Sequence, residues 1–337
     1  MLGLSLQRHF ELSEGGITSS FGGGTRLPLV LLHTNDVPKA WLAVLRNVGW
    51  RLRCVTYIQA TESLFEPGRF KHTFTKIHAL ALTEYTTIVV LDADLLIRKP
   101  VDSLFTRGTP TACRRHASGD FKDGQLMPPS AFYNKQGEQI SGINGGVMVL
   151  KPSREVFEQV YAEIQDPNFP GHVKSRMPEQ DYLTRYYADR WHHLDVSYNY
   201  QPHQIAFCDR RGLEGCERMK LDYDDVGIVH FSALPKPSHW KLNPEFADIE
   251  RELDFYEVLT QRYIDFYEVL DFAVMAKLRD VTWRSAREWL HVCDALEKEM
   301  PAVRRLIDAE ARQKDARASG GPPTFDFGNI LNWTRFF

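Results

Sequence analysis

The amino-acid sequence predicts an α/β fold: a doubly wound, mostly parallel sheet with a helical C-terminal extension. Short apolar, β-branched runs alternate with segments of helical periodicity through the first half of the chain, the pattern of strands joined by crossover helices. The clearest run, Ile88 to Leu91 in TTIVVLDADLLIRKPVDSLF, is apolar at every position, as expected of a strand buried on both faces. From Glu245 to about Gln313 the strand runs stop, and apolar residues recur at helical spacing among dense charges.

Taken in order, residues 1–10 read as the end of an amphipathic helix and residues 11–26, rich in Gly and Ser, as a flexible loop. LPLVLLHT is a strand. In VPKAWLAVLRNVGW, Trp41, Leu42, Leu45 and Val48 share one helix face and Gly49 supplies a stop. LRCVTYI is the next strand, and KHTFTKIHALALTEY a helix that ends just before the acidic strand. Residues 107–141 are polar and rich in Gly and Pro and read as a long surface insertion. GGVMVLKP is a further strand. SREVFEQVYAEIQ is an amphipathic helix with Ser153 as N-cap. MPEQDYLTRYYADRW begins a helix with acids in its first turn, where they favour the helix dipole. GIVHF is a short strand. DFYEVL occurs at 254–259 and again at 265–270, an eleven-residue spacing that puts both copies on nearly one helix face. These elements divide the chain into an α/β domain over 1–245, a helical extension over 246–316 and a tail over 317–337.

The 337 residues, 43% of them hydrophobic, suffice for one large core with extensions. A net charge of −3 and a pI near 6.5 give no bulk-charge case for nucleic acid. The five cysteines are dispersed without a C-x-x-C pair, against a disulfide framework or a zinc site. No stretch approaches the roughly 20 apolar residues of a membrane span, and the start lacks the order of a signal peptide. A cytoplasmic location is expected, or a Golgi lumen if a targeting segment precedes the chain.

Asp92-Ala93-Asp94 ends the acidic strand. Side chains alternate along a strand, so the two carboxylates point the same way and repel each other. A hard divalent cation with oxygen ligands resolves that repulsion; a loop with one Asp as a helix cap is the plainer alternative. Asn144-Gly145-Gly146 allows close backbone approach to a ligand and offers an amide to sugar hydroxyls, or is an ordinary turn. Glu179, Gln180 and Asp181 at a helix start can accept from sugar hydroxyls or balance positive charge at an anomeric carbon, or can simply compensate the dipole. His230 after a strand can complete a metal site with Asp92 and Asp94, and mixed nitrogen and oxygen ligation suits Mn²⁺. Lys236, between two prolines, can present a point charge to a diphosphate.

In this order the segments FTKIHALALTEYTTIVVLDADLLI, INGGVMVLKPS, PEQDYL, SYNYQP and HFSALPKPSHW resemble glycosyltransferase family 8, the glycogenin and galactinol synthase group, over roughly residues 27–245. The resemblance implies a GT-A fold, a UDP-sugar donor, Mn²⁺ (with Mg²⁺ as a substitute) and transfer with retention of anomeric configuration. It implies that Asp92, Asp94 and His230 hold the metal. Lys76, Asn144 and Gly145 would contact the donor sugar, and Lys236 the diphosphate. Gln180, with Glu179 and Asp181 beside it, would face the reacting centre. Glu179 stands where the family usually has Asp, and Gly145 where it usually has Ser. The family's first strand, which holds the base, has no counterpart, because Met1 falls inside the following helix; an open strand edge and a weak base pocket are expected. The acceptor is left open among a carbohydrate, a small molecule and a protein, with Tyr200 in SYNYQP as a candidate self-glycosylated residue; a homodimer is compatible. Two other readings stand beside this one. One is a weakly active or inactive relative that binds sugar or protein. The other is a metal-dependent phosphohydrolase, which needs further acids at neighbouring strand ends.

Overall fold

The computed structural model describes residues 12–13, 16–18, 26–64, 72–115, 121–202, 204, 221–232, 284–285, 287–289, 291–298 and 300–318. Its strands in chain order are β1 (Leu12–Ser13), β2 (Gly16–Thr18), β3 (Arg26–Leu27), β4 (Leu29–His33), β5 (Trp50–Cys54), β6 (Ile88–Leu91), β7 (Leu95–Ile97), β8 (Thr111–Arg114), β9 (Ile143–Leu150), β10 (His192–His193) and β11 (Ile228–His230). Its helices are α1 (Lys39–Asn47), α2 (Arg154–Gln165), α3 (Pro178–Tyr186) and α4 (Pro301–Ala318), with a 3₁₀ segment at Thr73–Ala81.

β9 organises the domain. All eight residues of INGGVMVL are buried, because both faces of the strand are covered. Met148 and Leu150 enter a core with Phe74, Ile77, Leu80, Val160, Leu183 and Trp191. Val147 and Val149, on the other face, enter a core with Leu95, Ile97, Leu104 and Ile228. β9 pairs antiparallel with β6 on one side and with β8 on the other, and β10 runs parallel to β8. β4 and β5 form a parallel pair, with α1 packed beside β5. β7 and β11 pair antiparallel, His230 opposite Leu95.

The α/β class holds, and the sheet is mixed where mostly parallel pairing was expected. The antiparallel pairing comes from β9, which runs against β6 on one side and β8 on the other. The segment read as a surface insertion contains β8, whose Thr111, Ala112 and Cys113 are wholly buried; its short run TACR carries too weak an alternation to register as a strand. The segment read as a flexible loop holds β1, β2 and β3 in a small antiparallel sheet. Ile88–Leu91 is only half-buried: among the described residues β6 bonds β9 alone and β4 bonds β5 alone. The helix expected before β6 is 3₁₀, in a run where Thr73, Phe74 and Thr75 weaken α propensity and Thr75 Oγ1 accepts from the Ile58 amide at 3.1 Å. Ser153 caps α2 as expected, accepting from Val156 N at 3.2 Å. Gly49 ends the turn after α1 at φ 90°, where other residues are strained. Residues 1–10, the DFYEVL copies and the aromatic tail lie outside the described residues, as does most of the helical extension apart from α4 and segments near Glu288.

Candidate active site

Asp92 and Asp94 do not sit on one extended strand. They occupy the turn between β6 and β7, so strand alternation is not what aligns them. The backbone does: Asp92 N donates to Gly146 O at 2.9 Å, and Phe231 N donates to Asp94 O at 3.0 Å. These two bonds tie the turn to β9 and to the residue that follows β11, and so bring His230 to the acids. One ligand atom from each of Asp92, Asp94 and His230 lies within 4.8 Å of the others, and all three residues are buried.

A chain of amides sets the state of the imidazole. Gly146 N–H donates to Asn144 Oδ1 at 2.9 Å, which fixes that atom as an acceptor. Asn199 Nδ2 donates to the same oxygen at 2.9 Å, leaving Asn199 Oδ1 at 2.8 Å from His230 Nδ1. An amide oxygen only accepts, so the proton sits on Nδ1 and Nε2 keeps its lone pair in the neutral ring. Among the described residues Nε2 makes no hydrogen bond, and it lies 3.3 Å from Asp94 Oδ1. A lone pair held that close to a carboxylate oxygen is stabilised by a cation between them. The donor set, two carboxylates and one imidazole with its far nitrogen already engaged, fits a divalent transition metal.

Gly146 makes this geometry available. A Cβ there would overlap the His230 ring. The close approach expected of the glycine pair is thus made by a histidine of the protein. Asn144, expected to meet the sugar, uses its side-chain oxygen on Gly146 and Asn199 instead.

Lys76 stands next to the cluster. Its Nζ donates to Asp92 Oδ1 at 2.8 Å and to Gly145 O at 3.3 Å, and lies 3.9 Å from Glu179 Oε2. Burial pulls the amine's pKa down, but the charges of Asp92, Glu179 and Asp94 outweigh it and hold Lys76 above its ordinary value. Glu179 is 3% exposed. Burial, with the like charges of Asp92 and Asp181, pushes its carboxyl up to about 7 against the pull of Lys76 and Arg115. Its Oε1 has no hydrogen-bond partner among the described residues. Gln180 Oε1 accepts from Gly145 N at 2.7 Å, which anchors the start of α3 to β9.

Asp181 faces elsewhere. Arg115, Gln139 and Ser175 all donate to its carboxylate, so it is an ion-pair anchor and not a group open to a substrate. Tyr200 is fully buried in a core with Leu96, Tyr223 and Val229; this removes it as an acceptor in the folded chain. Lys236 lies outside the described residues. Among the described residues the metal-type cluster is Asp92, Asp94 and His230 alone, without the extra acids a phosphohydrolase needs. Sequence reasoning placed Asn199 with Tyr198 in an acceptor loop and missed its support of His230, which depends on partners 55 residues before and 31 after it; it also missed Arg115, just after the unrecognised β8.

The fold and this cluster define an α/β protein with a buried Asp-Asp-His centre. No protein-family model matches the chain. It is 31% identical over 238 residues to uncharacterized protein R707 of Acanthamoeba polyphaga mimivirus, covering 69% of this chain and 79% of that one. It is 34% identical over 172 residues to Glycogenin-1 of Caenorhabditis elegans, covering 50% of this chain and 32% of that one. It is 23% identical over 177 residues to UDP-glucuronate:xylan alpha-glucuronosyltransferase 2 of Arabidopsis thaliana, covering 52% and 24%. The chain thus spans most of the viral relative and less than a third of the worm and plant ones. A solved structure of the glycosyltransferase GlyE of Streptococcus pneumoniae aligns with a TM-score of 0.46 at 17% identity, over 84% of this chain and 59% of that one. The chain thus shares a family with the viral protein, and over about half of its length it is similar to glycogenin and to glucuronosyltransferases.

Proposed function

We propose that the protein is a retaining hexosyltransferase that moves a sugar from a UDP-sugar to a carbohydrate, small-molecule or protein acceptor, with Mn²⁺ as its metal. The observation that carries this reading is the His230 side chain, held with Nδ1 protonated and Nε2 turned toward Asp94. Similarity to the plant UDP-glucuronate:xylan alpha-glucuronosyltransferase 2 supports a UDP-linked donor.

Asp92, Asp94 and His230 would hold the cation, which when bound neutralises the donor's diphosphate as a leaving group. Lys76 keeps Asp92 oriented and adds positive charge at the same end of the site. Lys236 is assigned a second contact to the diphosphate. Gln180, pinned by Gly145, and Glu179 lie beside the place expected for the sugar. A carboxyl near neutrality there can donate to or accept from a sugar hydroxyl. Asp181 keeps the first turn of α3 in place through Arg115.

The test is mass analysis of products after incubation with a panel of UDP-sugars, with and without Mn²⁺. Metal-dependent hexose transfer, or metal-dependent release of UDP without acceptor, is expected, and proton NMR of the product reports the anomeric configuration. Failure of the protein to bind UDP in the presence of Mn²⁺ would leave the reading without support.

A further inference from the structure

Beside His230, a second polar row continues away from the acids. Residues 199–201 run parallel to β11, with Tyr200 level with Val229: Tyr200 N donates to Ile228 O at 2.9 Å and His230 N to Tyr200 O at 2.8 Å. Side chains alternate along backbone paired in this way. Tyr200 and Val229 therefore enter the apolar core with Leu96 and Phe231. Asn199, Gln201, His230 and Ser232 take the other side, where Asn199 pairs with His230 and Gln201 with Ser232. The second pair stands at the next same-side position of both segments. The row leads from the buried His230 to Ser232, which is partly exposed.

Gln201 is 2% exposed. Its Nε2 donates to Ser232 Oγ at 2.5 Å, and its Oε1 has no partner among the described residues. A buried amide oxygen without a donor is costly, and such groups are nearly always matched by protein, water or ligand. The pair itself says which chemistry matches it. With Gln201 Nε2 donating, Ser232 keeps its O–H to give and Gln201 keeps its carbonyl to receive. With the amide turned over and Ser232 donating, Gln201 keeps an N–H and Ser232 a lone pair. Either way the pair presents one donor and one acceptor. A phosphate supplies acceptors only, and a bare cation takes acceptors only. A hydroxyl group gives one hydrogen bond and receives another, so it uses both halves of the pair.

We propose that Gln201 and Ser232 bind one hydroxyl group of a sugar next to His230, and so act as specificity-determining residues of the site. This rests on the glycosyltransferase reading above and adds two substrate contacts to it. The hydroxyl belongs either to the transferred sugar or to the acceptor. Gln201 is tied to the metal side through its own segment: Tyr200 O accepts from the His230 amide, and Asn199 Oδ1 accepts from the His230 ring.

The experiment is calorimetric titration of the full chain with Mn²⁺, the wild type against Gln201→Leu and Ser232→Ala. The probes are UDP, UDP-glucose and UDP-galactose, then methyl glucoside and methyl galactoside on protein saturated with UDP. If the hydroxyl is the donor's, both variants bind the preferred UDP-sugar about threefold to tenfold more weakly and bind UDP as the wild type does. If it is the acceptor's, the UDP-sugars keep their affinity and the preferred methyl glycoside loses a similar factor. No difference between variants and wild type for any sugar compound overturns the proposal, because an internal water then suffices for Gln201. A loss that falls equally on UDP or on Mn²⁺ alone also overturns it, since Gln201 would then only support His230. Ser232 is partly exposed, so Ser232→Ala decides the question if Gln201→Leu does not fold. If the wild type does not bind UDP, the transferase reading fails, and the methyl glycosides on the free protein still decide the pair.

Discussion

Glu179 and Asp181 are two carboxylates on one helical turn, and their surroundings give them opposite properties. Glu179 points to the Asp92–Lys76 side, is almost fully buried, and holds its proton up to about pH 7. Asp181 points to the other side and accepts from an arginine, an amide and a hydroxyl. Residues two apart on a helix face nearly opposite directions, so a single turn serves a candidate metal site on one side and the Arg115–Asp181 ion pair on the other. Residue type alone does not assign a carboxylate its work; the donors that reach it do.

The largest expected effect is on the metal side. Asp94→Asn and His230→Ala should each cost several kcal/mol of transition-state stabilisation, a rate loss of about a hundredfold or more. Circular dichroism should stay that of the native protein. Near-normal turnover at limiting Mn²⁺ in either variant would remove the distinction between the two sides. On the other side, Asp181→Ala leaves Arg115 without its partner in a half-closed setting. A stability loss of about 3 kcal/mol is expected in urea titration, whereas Asp181→Asn, which keeps the shape, should lose less.

Gly146→Ala sharpens the comparison by displacing His230 without touching α3. Crowding of this kind costs about 1 to 3 kcal/mol, and the variant should lose Mn²⁺ affinity while the Arg115–Asp181 pair keeps its contribution. Asn199→Ala releases His230 Nδ1. A fall in Mn²⁺ affinity of about tenfold to a hundredfold is expected by calorimetry, and an unchanged affinity would mean that the ring is positioned by packing alone.

The smallest effect concerns pH. In the metal-free protein the Glu179 carboxyl titrates near 7, above its ordinary 4.5, so the folded state binds more protons than the unfolded state between those values. The contribution is therefore fully present below about pH 4.5 and is lost as pH rises through about 7, on the order of 3 kcal/mol at most. Glu179→Gln should flatten that decline in denaturant midpoints measured in EDTA. An unchanged slope would put Glu179 on the same footing as Asp181.

Much of this was legible from local pattern. The strands β4, β5, β9 and β11, the helices α1, α2 and α3, and the Ser153 cap follow from periodicity and from residues close in the chain. The Asp92, Asp94 and His230 set was also legible, because acids at strand ends next to a histidine carry their chemistry in their type. β8 was not, since its burial comes from neighbours far along the chain. Nor was the true geometry of Asp92 and Asp94, which depends on backbone bonds to Gly146 and Phe231.

The sequence by itself determined the α/β class and the identity of the metal-type cluster, because these rest on residue types in a fixed order. Only the tertiary structure decided which groups those residues meet. It turned Asn144 and Asn199 into the support of His230, buried Tyr200, and separated Glu179 from Asp181. Each of these outcomes depends on contacts between segments tens of residues apart, where a hydrogen-bond donor or a buried wall sets the charge state of its neighbour, and no local pattern in the chain records them.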